Sequence, residues 1–139
     1  MKQLKYYELI MLDDLLPSIE LRGKETRHRA RFLKQVEQLI LEFDEERLLT
    51  LKEYARTDSE GNLINDEEGN ATFESEEKLK SFLLELEDMK REFRDLHIEK
   101  ETQDIIKQLI LDGEFAITGK EYSIIYDELC TRIENTQGE

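Results

Sequence analysis

The sequence of 139 residues contains a single cysteine, Cys130, only two histidines, one proline and no tryptophan. One cysteine cannot form an internal disulfide, which excludes a disulfide-stabilised scaffold. Two histidines and one cysteine are too few soft ligands for an ordinary zinc site. We therefore expect neither a metal site nor a cofactor.

Long apolar runs and excess positive charge are also missing. The longest apolar run is a few residues, far short of the roughly 18 that cross a bilayer, and the first residues lack the apolar core of a secretory signal. Asp and Glu number 34 against 20 Lys and Arg, a net charge of −14, which would repel phosphates. The composition predicts a cytoplasmic protein with protein partners and disfavours direct binding to nucleic acids or membranes.

Two long stretches have the apolar periodicity of amphipathic helices. In residues 24–56, apolar side chains recur every three or four positions. Residues 75–98 carry a similar stripe, and Ser75 is suited to cap that helix. We predict a mainly α-helical fold in which these two helices form a long antiparallel hairpin.

The segment between the two predicted helices is rich in acids and turn-forming residues. Residues 61–74 fit a small β-hairpin at the tip of the helical hairpin, with its turn at Gly69. The chain length favours a single domain over residues 1–139, and no internal repeat is apparent. Short flanking helices are predicted at residues 5–16, 102–112 and 119–134, with a strand at residues 3–7 as the alternative for the first.

The first concentration of charge is basic. Six Lys and Arg and one acid lie between Arg22 and Lys34. The cluster could bind an anion or phosphate at the start of a helix, or its side chains could pair with carboxylates in the same fold or in a second copy. As a basic interaction patch it comprises Arg22, Lys24, Arg27, Arg29, Arg31 and Lys34.

The second concentration of charge is acidic, with 11 acids and two lysines between Asp58 and Asp88. Such a surface could imitate a phosphate backbone and block a nucleic-acid-binding protein, or it could keep the chain soluble. A homo-oligomer held by the opposite charges of the two clusters is also compatible with this segregation. The predicted acidic interaction surface comprises Asp66, Glu67, Glu68, Glu74, Glu76 and Glu77.

Patterns of catalytic or metal-binding residues are weak. A calcium loop that begins at Asp58 or Asp66 lacks the glycine that an EF-hand requires at its sixth position. His28 and His97 belong to no catalytic or metal-binding motif. Cys130 lies on an amphipathic stretch, which favours packing over a nucleophilic role. We expect no enzyme; the alternative from another class is a small metal-dependent hydrolase that uses clustered carboxylates.

The run Leu21-Arg-Gly-Lys-Glu-Thr-Arg-His-Arg-Ala-Arg-Phe32 precedes the first long helix, which ends Leu51-Lys-Glu-Tyr-Ala55 before Asp58-Ser-Glu-Gly-Asn62. In these segments the chain resembles small proteins of Gram-positive phages and prophages that are grouped as a domain of unknown function. The likeness extends over nearly the whole chain. It implies a viral origin in a bacterial host and supplies no catalytic residues.

These features together predict a phage or prophage accessory protein that acts by stoichiometric binding to a protein of host or phage origin. It would serve as an assembly factor, a chaperone or an inhibitor of a host or antiviral-defence protein. The alternative within binding proteins is an acidic mimic of nucleic acid.

Overall fold

The structure, a computed structural model, describes residues 1–136 and is mainly α-helical, which confirms the predicted fold class at that level. Its two strands, at residues 3–5 and 93–95 of the described range, pair antiparallel, with Leu4 opposite Arg94. A single 3-10 turn, Leu16–Ser18, follows the first helix. Within the described range the elements are, in order, β1 Gln3–Lys5, α1 Tyr6–Leu15, α2 Lys24–Tyr54, α3 Glu76–Arg91, β2 Phe93–Asp95, α4 Lys100–Asp112 and α5 Lys120–Thr136.

The longest element, α2, confirms the first predicted helix and ends at Tyr54 rather than at residue 56. It begins after Gly23, whose φ of +57° is a conformation that residues with a side chain rarely adopt. Phe32, Val36 and Phe43 are fully buried. Their spacing of four and seven residues places them on one side of the helix, as the sequence pattern predicts.

The prediction of a second helix over residues 75–98 is wrong in its last part. The helix α3 begins after Ser75, whose hydroxyl accepts a hydrogen bond from the backbone N–H of Lys78 at 3.2 Å, and it ends at Arg91. The next residues form β2, which pairs with β1. The spacing from Phe93 to the buried Leu96 suits a helix, but pairing with a strand far away in sequence determines the conformation.

The N-terminal segment combines its two predicted alternatives, since a strand at residues 3–5 runs directly into a helix. The carboxylate of Glu8 accepts a hydrogen bond from the backbone N–H of Lys5 at 2.8 Å, which caps the first turn of α1. The helix ends before Pro17, as the missing proline N–H requires. The helices predicted at residues 102–112 and 119–134 are also present, as α4 and α5.

The chain divides into two compact units, and the single domain over residues 1–139 stays a prediction. Unit 1 comprises Met1–Ile40 and residues 93–136, and unit 2 comprises Leu41–Glu92. The residues of each unit make most of their contacts among themselves, and α2 contributes to both. The core of unit 1 includes the buried side chains of Leu9, Leu12, Phe32, Ile106, Ile110 and Ile133.

Residues 57–71 of unit 2 form two consecutive tight turns instead of the β-hairpin predicted at residues 61–74. Two isolated antiparallel bridges close the turns, and neither extends into a strand. The turns share the sequence Asp-x-Glu-Gly-Asn, which begins at Asp58 and again at Asp66. The chain therefore contains a short internal repeat with a period of eight residues, contrary to the expectation that it has none.

Each turn is held together by its aspartate. The Oδ1 atom of Asp66 accepts hydrogen bonds from the backbone N–H groups of Glu68 at 2.9 Å and Asn70 at 3.0 Å. Asp58 makes the equivalent two hydrogen bonds in the first turn. The glycine of each turn has a φ of +83°, which explains why glycine occurs at that position in both.

Three backbone positions that lie eight residues apart join the two turns into a ring. The N–H of Ile64 donates to the carbonyl of Arg56 at 3.0 Å, and the N–H of Thr72 donates to the carbonyl of Ile64 at 3.2 Å. The N–H of Arg56 then donates to the carbonyl of Thr72 at 2.8 Å and closes the ring. The ring returns the chain to the end of α2, where α3 can begin.

Side chains of α2 and α3 meet in the order expected of antiparallel helices. The ring centroids of Tyr54 and Phe82 lie 6.4 Å apart, and Thr50 Oγ1 lies 3.6 Å from Met89 Sδ. An earlier residue of α2 thus meets a later residue of α3. Phe73, which follows the two turns, packs beside Phe82 with ring centroids 6.0 Å apart and closes this end of the contact.

We expect Asp66→Ala to loosen the second turn, because two backbone N–H groups lose their acceptor. We expect the turn to lose about 1 kcal/mol of stability. NMR would detect this loss as faster amide hydrogen exchange at residues 68 and 70. Glu67→Ala changes charge by the same amount at the neighbouring position and should leave those amides protected. Equal exchange rates in the two variants would contradict the role assigned to Asp66.

Candidate interaction surfaces

Five of the six residues of the predicted basic patch are exposed, and Arg29 is half-buried. The guanidinium of Arg29 donates to the backbone carbonyls of Leu16, at 3.1 Å, and Ile19, so it holds the loop after α1 against α2. Lys24 forms an ion pair with Glu101 of α4. Arg22 lies 3.9 Å from Glu20, and both side chains are highly exposed. Arg29 therefore has a structural role through backbone carbonyls, whereas Lys24 pairs with a carboxylate of the same fold.

The remaining members of the patch, Arg27, Arg31 and Lys34, are exposed on α2. Arg31 and Lys34 line a shallow cleft of about 400 Å³ together with His97. The backbone N–H of His97 donates to Gln35 Oε1 at 3.2 Å. The structure thus brings His97 next to the basic residues of α2, a proximity that the sequence does not reveal.

His28 is a buried member of the junction between α2 and α4. It is only 3% exposed, and its Nδ1 lies 2.8 Å from the hydroxyl of the buried Thr102. Its Nε2 lies 3.8 Å from Glu101 Oε2. The hydrogen bond and the charge of Lys24 lower the pKa of Glu101, and His28 contributes less. These contacts connect the first turns of two helices.

A second basic surface, which the sequence analysis missed, lines a cleft of about 670 Å³ in unit 1. Its cations come from the N-terminus and from widely spaced positions in the last third of the chain, so they form no cluster in the sequence. Arg132 also pairs with the buried carboxylate of Glu8, with its Nη2 2.7 and 2.8 Å from the two oxygens. The basic side chains of the cleft are Lys2, Lys100, Lys107 and Arg132.

The six residues of the predicted acidic surface lie in unit 2 and are all exposed. Asp66, Glu67 and Glu68 belong to the second turn, whereas Glu76 and Glu77 lie in the first turn of α3, where the helix dipole favours negative charge. Glu74 lies between these groups. Asp66 is committed to backbone hydrogen bonds, so its carboxylate has a structural role within the surface.

A larger acidic surface extends along the helices of unit 2. Positions around each helix advance by about 100° per residue, and the contacts of Thr50 and Tyr54 with α3 define where the two helices meet. On one side of that contact line, at about 50–130° from it, both helices carry acids and neither carries Lys or Arg. This acidic face comprises Glu42, Glu46, Glu53, Glu77, Glu85 and Asp88.

Cys130 packs beside Tyr126 in unit 1 and is half-buried. Burial raises the pKa of the Cys130 thiol, which lowers the thiolate fraction available for nucleophilic attack. Burial also raises the pKa of Tyr126 to about 12, and its hydroxyl donates to the carbonyl of Ile110 at 2.6 Å. Both groups therefore favour their neutral forms.

Residues 1–136 lack the features of two other kinds of site. No three side chains of the types His, Cys, Asp and Glu are grouped there closely enough to hold one metal ion. None of the helices in this range combines the length and the apolar character needed to cross a membrane.

Comparisons with known proteins give no relative for this chain. No protein-family model matches it, and neither the curated proteins nor the solved structures contain a match.

We expect Arg132→Met to destabilise unit 1 because the carboxylate of Glu8, 3% exposed, would lose its ion-pair partner. The expected loss is about 2–3 kcal/mol, below the usual figure for buried pairs because Arg132 is partly exposed. Urea unfolding measures it.

The control is Lys100→Met, since Lys100 pairs with Asp104 at the surface and should contribute about 0–1 kcal/mol. Adding Glu8→Gln to Arg132→Met removes the buried charge and should restore part of the loss. No recovery in the double variant would mean that packing by Arg132, rather than its charge, matters.

Proposed function

We propose that this chain is a phage- or prophage-encoded accessory protein of the bacterial cytoplasm that acts by stoichiometric binding to another protein. The phage origin rests on the resemblance of its Gly23–Phe32 and Leu51–Asn62 segments. The observation that carries the binding role is the charge of unit 2, which has 17 Asp and Glu against 7 Lys and Arg, a net −10. Its partner is a protein with a basic surface.

The arrangement of the acids supports this proposal more strongly than their number. Six of them form the acidic face along α2 and α3, in a sector without Lys or Arg. More acids project from the two turns, whose backbone is fixed by the Asp58 and Asp66 hydrogen bonds. Acids on fixed elements can meet a basic partner with little loss of conformational entropy. The hairpin of α2 and α3 is thus the proposed binding element.

Imitation of nucleic acid is a second form of the same proposal. The two turns place Asp, Glu and Asn at equivalent positions eight residues apart, so they present a repeated pattern of negative charge. A protein that binds the regularly spaced phosphates of nucleic acid would then be the partner. Competition between DNA or RNA and this chain for the same partner separates mimicry from other protein binding.

Reversing the charge of the turn region should abolish binding. We would purify the tagged chain from phage-infected host cells and identify proteins that elute with it in stoichiometric amounts. We expect one protein with a basic surface. It should no longer elute with the variant Glu67→Lys/Glu68→Lys/Glu74→Lys/Glu77→Lys. It should also be lost at high salt, because salt screens exposed charge pairs. Asp66 is left unchanged, since its variant would disturb the turn itself.

The matched control reverses four exposed acids of unit 1 instead, as Asp13→Lys/Asp14→Lys/Glu114→Lys/Glu128→Lys. It changes the total charge equally and should retain the partner. A partner that survives the unit 2 substitutions, or that both variants lose alike, would contradict a binding site in the acidic part of unit 2.

A further inference from the structure

Unit 2 leaves an unusual share of its apolar side chains in contact with solvent. Of the nine large apolar residues that are exposed in the described chain, seven belong to this unit. Its buried apolar residues are few, chiefly Phe43, Phe82 and Met89. Exposed apolar side chains that cluster, rather than scatter, mark interaction sites, so their arrangement on the helices matters.

Five leucines of the two helices project to the same side. Relative to the contact of Thr50 and Tyr54 with α3, Leu48 and Leu51 lie about 140° and 80° around α2, on the side opposite to the acidic face. Relative to Phe82 and Met89, the leucines of α3 lie about 50–110° around that helix. When two helices run antiparallel, residues that lie in the same rotational direction from the contact line on each helix are on the same side of the pair. This leucine face comprises Leu48, Leu51, Leu79, Leu83 and Leu86.

Charge is distributed unequally between the two sides of the helix pair. The acidic face carries six acids and no Lys or Arg, whereas the sector of the leucine face carries Asp44, Glu76 and Lys90. The excess negative charge of unit 2 therefore points away from the leucines. Two copies could bring their leucine faces together while their acidic faces remain in solvent, far from each other.

We propose that the leucine face is a self-association surface, on which a second copy of this chain docks to form a four-helix arrangement from two helix pairs. In a two-fold dimer each leucine face meets its own copy, and four amphipathic helices enclose a core that two cannot. The sector beside the leucines carries two acids and one lysine, so two copies can bring these sectors together without strong repulsion. A second copy is therefore the occupant that fits this face. A strongly basic partner helix would instead be drawn to the acidic face. This inference is independent of the proposed protein partner.

Sedimentation equilibrium of the full chain tests the proposal through a matched pair of variants. Leu48→Gln/Leu83→Gln removes two leucines from the face, and Leu49→Gln/Leu84→Gln removes their immediate neighbours on the other side. The neighbours are the more exposed, at 65% and 71% against 45% and 49%, so exposure alone would give the control the larger effect. We expect a dimer for wild type and control, and a dissociation constant raised about 100-fold by Leu48→Gln/Leu83→Gln.

Salt distinguishes this dimer from one held by opposite charges. Between roughly 0.1 M and 1 M sodium chloride the Debye length falls from about 10 Å to about 3 Å, so a dimer joined by the Arg22–Lys34 region and the acids should dissociate. The leucine-face dimer should persist. Circular dichroism checks that each variant keeps its helix content, and Leu79→Gln/Leu83→Gln replaces the first variant if it does not.

Three results would overturn the proposal. They are a monomeric wild type at both salt concentrations, a dimer that the leucine-face variants leave unchanged, and a dimer that the control weakens equally.

Discussion

A pair of helices cannot enclose the apolar side chains that both of them carry. Each helix of unit 2 has an apolar stripe wider than the contact with its neighbour, so Phe82 and Met89 become buried while Leu48, Leu79 and Leu83 stay exposed. The ring of turns closes only one end of the pair, through Phe73 and Phe82. The side remains open, and the properties of unit 2 follow from that geometry.

Unit 1 encloses its apolar side chains with more helices and strands. Its β1 and β2 strands join the N-terminus to the residues after α3, and helices α1, α4 and α5 supply apolar side chains around the first part of α2. The buried carboxylate of Glu8 is compensated twice, by the backbone N–H of Lys5 and by Arg132 of α5. Compensation from two directions makes a buried charge tolerable, and here it also fixes α1 relative to α5.

Local patterns were predictable from the sequence, and pairings over long distances were not. The periodicity of residues 24–54 and the cap at Ser75 depend on neighbours in sequence, and both are present. The strand at Phe93–Asp95 depends on Gln3–Lys5, some ninety residues away, whereas its three-residue apolar spacing alone predicts a helix. The cleft around Lys2 and Arg132 was hidden for the same reason. The Asp-x-Glu-Gly-Asn repeat is local, but two copies of only five residues, one of which differs between them, resemble a generic acidic loop.

The two proposed contact faces of unit 2 would differ in their dependence on salt. Contacts through the leucine face would depend little on salt, whereas contacts through the acidic face would weaken as salt rises. If two copies join by their leucines, their acidic faces point outward on opposite sides of one particle. A partner with two basic sites could then engage both faces, and the second contact would form at a high effective concentration. Self-association would thus strengthen partner binding without any new contact to the partner.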